Sequence, residues 1–284
     1  MKNMNNCNQL IILGGGYSIK KGISLGLWEK IKDKFTIGLN FTGIDFPTTF
    51  LCFVDPMRFY VKHNSLLKEL PLIIGRYSTD IIRIKHPNTI LLKESERYTR
   101  NLETGVYNAF LCGLSGLTLG IYLLNIGEIF LLGYDGGSLP PEPGVKTLTI
   151  NFNDKLMTVP VEEICPNSSL LTDSHHKKNI IYLKGKSYRV LSHYYQDKIE
   201  HVGVGRIKFY HASDNVNKLF QVYKNEHSCK IYNIGLQSNI TTFEKIDYTT
   251  FFSKLNNVVY NQDELRQEIR TKLNSLPKTI NINL

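Results

Sequence analysis

The sequence predicts an α/β fold, a Rossmann-like, mainly parallel sheet with helices on both faces and an inserted lid. Three observations carry this. The apolar run Leu10-Ile-Ile-Leu13 leads straight into Gly14-Gly15-Gly16-Tyr17-Ser18. Short apolar runs recur along the chain with helical or mixed segments between them. The uncharged stretch 106–127 gives way to a second apolar strand, Ile129–Leu132, followed by Gly133-Tyr134-Asp135. Strands that are apolar throughout, alternating with helices, mark a parallel sheet covered on both faces.

The first strand ends in a glycine turn. Without a Cβ the chain can bend sharply there, and the N–H groups opening a following helix would face a phosphate. A plain strand-to-helix turn has the same letters. The pattern is not G-x-G-x-x-G, since Ile19 holds the last position, and no Gly-Lys-Ser/Thr follows as a Walker loop requires. Further strands are predicted over Thr36–Leu39, Thr49–Val54, Leu72–Ile74, Ile129–Leu132 and Lys230–Ile234. Residues 106–127 are long enough to span a bilayer. However, Gly113, Gly116 and Gly120 sit at helical spacing and would let a helix lie close on a sheet, so a buried helix is predicted instead. Ser213-Asp-Asn caps a helix running on from Val216, and 263–273 forms an amphipathic helix with acids first, stopped by Pro277.

Residues 139–202 divide the core into 1–138 and 203–284. Pro140, Pro141, Pro143 and Gly144 open this insertion, and Tyr182–Tyr188 reads as two short strands around Lys184-Gly185-Lys186. Four tyrosines (182, 188, 194, 195) and three histidines (175, 176, 193) lie in it, with His201 at its exit. An insertion at the ligand-binding edge of a sheet is commonly a lid; the bland alternative is a surface hairpin.

The net charge of +9 asks for an anionic partner without naming it, and the basic residues are scattered rather than blocked. Peripheral association with anionic surfaces would suit it. The five cysteines are far apart and lack C-x-x-C spacing, which disfavours structural zinc and a disulfide framework. A polar N-terminus and reduced cysteines point to the cytoplasm. Metal-dependent sugar-nucleotide chemistry generally needs a D-x-D pair, and none occurs. Asp55 and Asp135 stand alone at predicted strand ends. His193 and His201, where the insertion returns to the core, are the candidate bases, because neutral imidazole accepts a proton near neutrality.

Four segments resemble a superfamily that groups bacterial sialyltransferases, motility-associated factors that glycosylate flagellin, and archaeal hydroxymethylpterin pyrophosphokinase-like proteins. Leu10–Ile19 is similar to its opening strand and G-x-G-P-S-L turn, and Ile37-Gly-Leu-Asn40 to its second strand. Thr104-Gly-Val-Tyr, with the later strand ending in Gly133-Tyr134-Asp135, resembles the T-S-G-V-Y helix and G-x-D strand. Lys230-Ile-Tyr-Asn-Ile-Gly-Leu-Gln-Ser238 resembles the C-terminal strand with its C/N-x-x-x-x-S turn. The chain departs from the pattern at Gly15 and Tyr17, where asparagine and proline are expected, and at Asp55, where a third strand would end in asparagine.

The resemblance implies a metal-independent glycosyltransferase with no cofactor, using a nucleotide-activated sugar such as a CMP-linked nonulosonic acid, and a hydroxyl acceptor on a glycan or protein. Gly14, Gly15, Gly16 and Ser18 would meet the phosphate. Asn40, Thr104 and Gly105 would hold the nucleoside and donor, with Asp55, Asp135 and Ser238 at neighbouring strand ends. Tyr194 and Tyr195 would bind phosphate or a sugar carboxylate, and His201, or else His193, would be the catalytic base. Two alternatives stand beside it. One is an ATP-dependent pyrophosphokinase holding Mg²⁺ through Asp55 and Asp135. The other is a non-catalytic nucleotide or nucleic-acid binder.

Overall fold

The computed structural model describes residues 8–79, 86–95, 102, 105–107, 111–136, 147–152, 155–160, 180–183, 186–189, 214–225, 229–276 and 281–282. The strands of the main sheet are β1 (Gln9–Leu13), β2 (Thr36–Leu39), β3 (Phe50–Phe53), β4 (Ile73–Arg76) and β5 (Thr89–Leu92). A two-residue parallel pair, β6 (Glu94–Ser95) and β7 (Val106–Tyr107), stands apart as its own sheet. The main sheet continues with β8 (Glu128–Leu132), later joined by β13 (Lys230–Ile234), β14 (Glu244–Ile246) and β15 (Asn281–Ile282). Its order is β14-β13-β8-β1-β2-β3-β4-β5-β15; eight strands are parallel and β15 pairs antiparallel with β5.

Period-two alternation sorts each strand's apolar residues between two cores. Leu10 and Ile12 join Ile37 and Leu39 on one face. There they meet Leu114 and Leu117 of α5 (Cys112–Thr118), Phe220 and Tyr223 of α6 (Asp214–Asn225), and Ile269 of α8 (Gln262–Asn274). Ile11 and Leu13 face the other way, toward Ile19 of α1 (Ile19–Ser24), Ile31 of α2 (Leu27–Ile31) and Phe251 of α7 (Tyr248–Lys254). Among the described residues, two single-turn helices, α3 (Thr42–Asp45) and α4 (Asn64–Leu67), and two π-helical turns, 56–61 and 119–123, lie in the connections. The result is helix, sheet, helix, as the sequence predicts.

Of the stretch 106–127 predicted as a buried helix, Val106–Tyr107 is instead the strand β7, and the helical part is α5 with its π-helical continuation over 119–123. A Cβ on Gly120 would lie 2.7 Å from Leu10, and one on Gly116 3.2 Å from Ile12, so these glycines let the helix lie directly on β1. Among the described residues no helix is long and apolar enough to cross a membrane. Within the predicted lid, β9 (Thr147–Phe152), β10 (Lys155–Pro160), β11 (Ile180–Leu183) and β12 (Lys186–Arg189) form a separate antiparallel sheet of order β10-β9-β12-β11. The predicted hairpin is there, with Leu183 opposite Lys186, so Lys186 begins a strand instead of sitting in the turn.

Candidate functional site

From β1 the chain fills the sheet in one direction through β5, then returns with β8 to the opposite side of β1. This reversal places the topological switch point between β1 and β8, and in open α/β sheets ligands bind in the crevice beyond the carboxyl ends of such strands. Two turns meet there, Gly14–Ser18 after β1 and Gly133–Gly136 after β8. The Gly14 N–H donates to the Leu132 carbonyl at 2.7 Å, and the Gly16 N–H to the Gly133 carbonyl at 2.8 Å.

The glycines serve the contact between these turns. A Cβ on Gly16 would lie 2.4 Å from the Gly133 oxygen and 2.6 Å from the Asp135 carboxyl carbon. One on Gly14 would lie 2.7 Å from the same Gly133 oxygen, and Gly133 itself has φ +67°, a left-handed conformation that favours glycine. At positions 14 and 16 the close approach is protein against protein. Gly15 between them is half-buried.

Asp135 is 2% exposed, and its carboxylate accepts from the Ser18 N–H at 2.8 Å and the Ser18 hydroxyl at 2.5 Å. Burial pushes its pKa up to about 6, against the opposing pull of the Ser18 hydroxyl and the Ser18 and Tyr17 amides. A carboxylate of this chain therefore already holds the donors assigned to a phosphate. Tyr248 of α7 braces the turn by donating from its hydroxyl to the Ser18 carbonyl at 3.3 Å. Burial, and secondarily the Asp135 charge, raise its pKa.

On the far side of β8, the turn after β13 completes the crevice. The Asn239 N–H donates to the Asp135 main-chain oxygen at 2.8 Å. The Ser238 hydroxyl, 3% exposed, donates to the Tyr134 carbonyl at 2.7 Å and accepts from Asn233 Nδ2 at 2.9 Å and the Ile240 N–H at 3.0 Å. Asn233 is fully buried, and its Oδ1 has no hydrogen-bond partner. Sequence reasoning passed over this residue, although it is the asparagine of the N-x-x-x-x-S spacing that singled out Ser238.

Asn40 ends β2, the neighbour of β1 on the other side. It sits at φ +52°, its N–H donates to the Cys52 carbonyl at 3.0 Å, and its buried Oδ1 is unpartnered. The Thr42 hydroxyl lies 2.6 Å from the Leu13 carbonyl and 2.8 Å from that of Leu39, tying the ends of β1 and β2 together. At the mouth, Tyr17 and Leu236 are exposed, Lys20 Nζ stands 4.8 Å over the Tyr17 ring, and Lys245 Nζ donates to the Ser238 carbonyl.

Two predicted residues lie elsewhere. Asp55 follows β3 and caps the π-helical turn after it, accepting from the Arg58 N–H at 3.0 Å. Three strand spacings separate β3 from β8, about 14 Å at ~4.8 Å each. That distance tells against Asp55 and Asp135 sharing one ion. Gly105, at φ +123°, precedes β7 and packs on Glu94–Ser95. Thr104, His193, Tyr194, Tyr195 and His201 lie outside the described residues. Among the described residues no three His, Cys, Asp or Glu side chains gather as a metal-binding group.

Fold and crevice together define an α/β protein with a polar, partly unsatisfied site at its switch point. No protein-family model, no curated protein and no solved structure matches the chain.

Proposed function

We propose that the chain is a metal-independent glycosyltransferase that binds a nucleotide-activated sugar at the β1–β8 switch point and passes the sugar to a hydroxyl acceptor. The observation that carries this reading is Asn40, a left-handed residue beside the glycine turn with a buried, unpartnered Oδ1. A buried acceptor without a donor costs about 1–3 kcal/mol, and the exocyclic amino group of a base such as cytosine would relieve it. Ser18, once released from Asp135, and the Gly15 N–H supply hydrogen bonds to the phosphate that departs, since the Gly14 and Gly16 amides are taken by the Leu132 and Gly133 carbonyls. His201, with His193 as the reserve, takes the acceptor's proton as the new sugar–oxygen bond forms and the sugar–phosphate bond breaks. The missing D-x-D pair suits a monophosphate leaving group stabilised by hydrogen bonds alone. The net charge of +9 suits an acceptor displayed on an anionic surface.

Thermal denaturation with CMP, CDP, UDP, ATP and GTP in EDTA tests the reading. A nucleotide at 100 times its Kd adds about 2.7 kcal/mol, and a cytidine nucleotide is expected to be selected in a way that Asn40→Ala abolishes. Stabilisation by ATP only with Mg²⁺ would overturn it in favour of pyrophosphoryl transfer. Salt-sensitive nucleic-acid binding without turnover would overturn it in favour of a binding module.

A further inference from the structure

A phosphate entering the crevice meets a conflict. The donors it needs, the Ser18 amide and hydroxyl, are held by the Asp135 carboxylate at 2.8 and 2.5 Å, and that carboxylate is 2% exposed. Two anions cannot share those donors in a dry crevice, because like charges at such range raise each other's energy steeply as the local dielectric falls.

We infer that Asp135 is a proton latch on the crevice, so that a phosphodiester takes the Ser18 donors only with uptake of one proton at Asp135. This rests on the reading of the crevice as a nucleotide site. In the closed form the carboxylate accepts from Ser18. In the open form it has gained a proton from solvent, the phosphodiester oxygens accept from the Ser18 amide and hydroxyl, and the new carboxylic O–H donates to a phosphate oxygen. No other bond changes.

The surroundings favour this. From the turn ahead of α1, the Ser18 hydroxyl and the Ser18 and Tyr17 amides oppose the burial that lifts the Asp135 pKa to about 6. From α7, the Tyr248 hydroxyl donates to the Ser18 carbonyl. From the turn after β13, Asn239 meets the Asp135 main-chain oxygen, not its carboxylate. The lysines nearby are otherwise engaged: Lys20 over the Tyr17 ring, Lys21 acting on Asp247, and Lys245 on the Ser238 carbonyl. Gaining the proton therefore displaces no paired cation from the carboxylate.

The test uses the 5′-methyl phosphodiester of cytidine, because the second ionisation of CMP itself falls near pH 6 and would mask the protein's proton. Calorimetry at pH 7.5, in two buffers of different ionisation enthalpy, is expected to report one proton taken up per ester bound. Affinity is expected to rise about 30-fold from pH 7.5 to pH 5. Asp135→Asn should bind with no proton uptake and a flat pH profile. Should that variant not fold, Ser18→Ala removes a hydrogen bond that holds the carboxyl pKa down, so uptake should persist with its midpoint moved to higher pH. Binding without proton uptake in the unmodified protein overturns the latch and leaves the nucleotide site standing. No binding to the unmodified protein or either variant at pH 5 overturns the nucleotide reading and the latch with it.

Discussion

The two edges of the main sheet are built on opposite principles. At the N-terminal edge, α8 lies across the strand starts and satisfies their loose carbonyls. Gln262 Nε2 donates to the Lys34 carbonyl at 3.0 Å, Arg266 Nε to that of Thr49 at 2.8 Å, and Arg270 to that of Pro71 at 2.8 Å. Asn261 caps the helix and Lys34 Nζ answers the Val258 carbonyl at 2.9 Å. At the C-terminal edge the same backbone ends in left-handed Asn40, Gly133, Gly136 and Gly235, a buried carboxylate and two unpartnered asparagine oxygens. Left-handed residues and a buried carboxylate gather at this edge, as a binding site requires, while the other edge, which has its own left-handed Asn125 before β8 and unpartnered Asn88 Oδ1 before β5, supplies the stability to hold it.

The largest expected effect comes from overfilling the C-terminal edge. Gly16→Val would drive a branched side chain into the Gly133 oxygen and the Asp135 carboxyl. Neither neighbour is the free end of a flexible chain, so a loss of about 4 kcal/mol or more is expected, measured by urea denaturation. Gly15→Val, at the half-buried middle glycine, should spare the fold and weaken nucleotide binding. If Gly16→Val unfolds at the same urea concentration as the unmodified protein, the two turns do not pack as described.

Next in size is the charge at the same edge. Asp135 rises from 3.8 to about 6 on folding, so between those values the folded protein keeps a proton that the unfolded chain releases. Its contribution to stability is fully present below pH 4 and is lost as pH rises through 6, about 3 kcal/mol in all. Asp135→Asn lacks this decline. The stability of the variant relative to the unmodified protein should climb by that amount between pH 4 and 7.5, and a constant difference would mean that the carboxyl titrates normally.

The N-terminal edge should answer differently. Arg266→Ala removes donors from the Thr48 and Thr49 carbonyls, at an expected cost of about 1–3 kcal/mol. Nucleotide affinity should not change, since α8 touches the opposite ends of the strands. A parallel loss of affinity would show the two edges to be coupled.

How much of this was legible in the sequence also divides by region. β2 and β13 fall where their apolar runs predict, because strands buried on both faces are mostly apolar, Thr36 and Asn233 being their buried polar residues. β14 escaped because Glu244 and Lys245 leave Ile246 as its one buried residue, too little for any periodicity. β5 escaped although its run, Thr89-Ile-Leu-Leu92, is as long and as apolar as that of β2. At the site, the place of the glycine turn was legible but not its physical reason. Gly14 and Gly16 answer to a turn that follows β8, and Ser18 bonds a residue 117 positions away. No local pattern carries that information. Asn233 was legible only as a letter of the N-x-x-x-x-S spacing that joins it to Ser238; its burial, and the Tyr134 carbonyl that its Nδ2 also meets, come from strands and turns distant in sequence.

The smallest expected effect is the most pointed test of the comparison. Asn40 adopts φ +52°, which glycine reaches without a side-chain penalty, and its Oδ1 is buried without a donor. Asn40→Gly removes both the strain and the orphaned oxygen, while the N–H bond to the Cys52 carbonyl can remain. The gain is offset by the greater freedom of glycine in the unfolded chain, so stability should stay level or rise by less than about 1 kcal/mol. If the oxygen is there for a ligand, the same change should weaken cytidine nucleotide binding by roughly tenfold, the loss of one hydrogen bond to a buried group. A substitution that leaves the fold no worse while removing affinity would assign the strain at this edge to binding. A clear loss of stability with affinity unchanged would assign Asn40 to the turn, and the C-terminal edge would then be as purely structural there as the edge under α8.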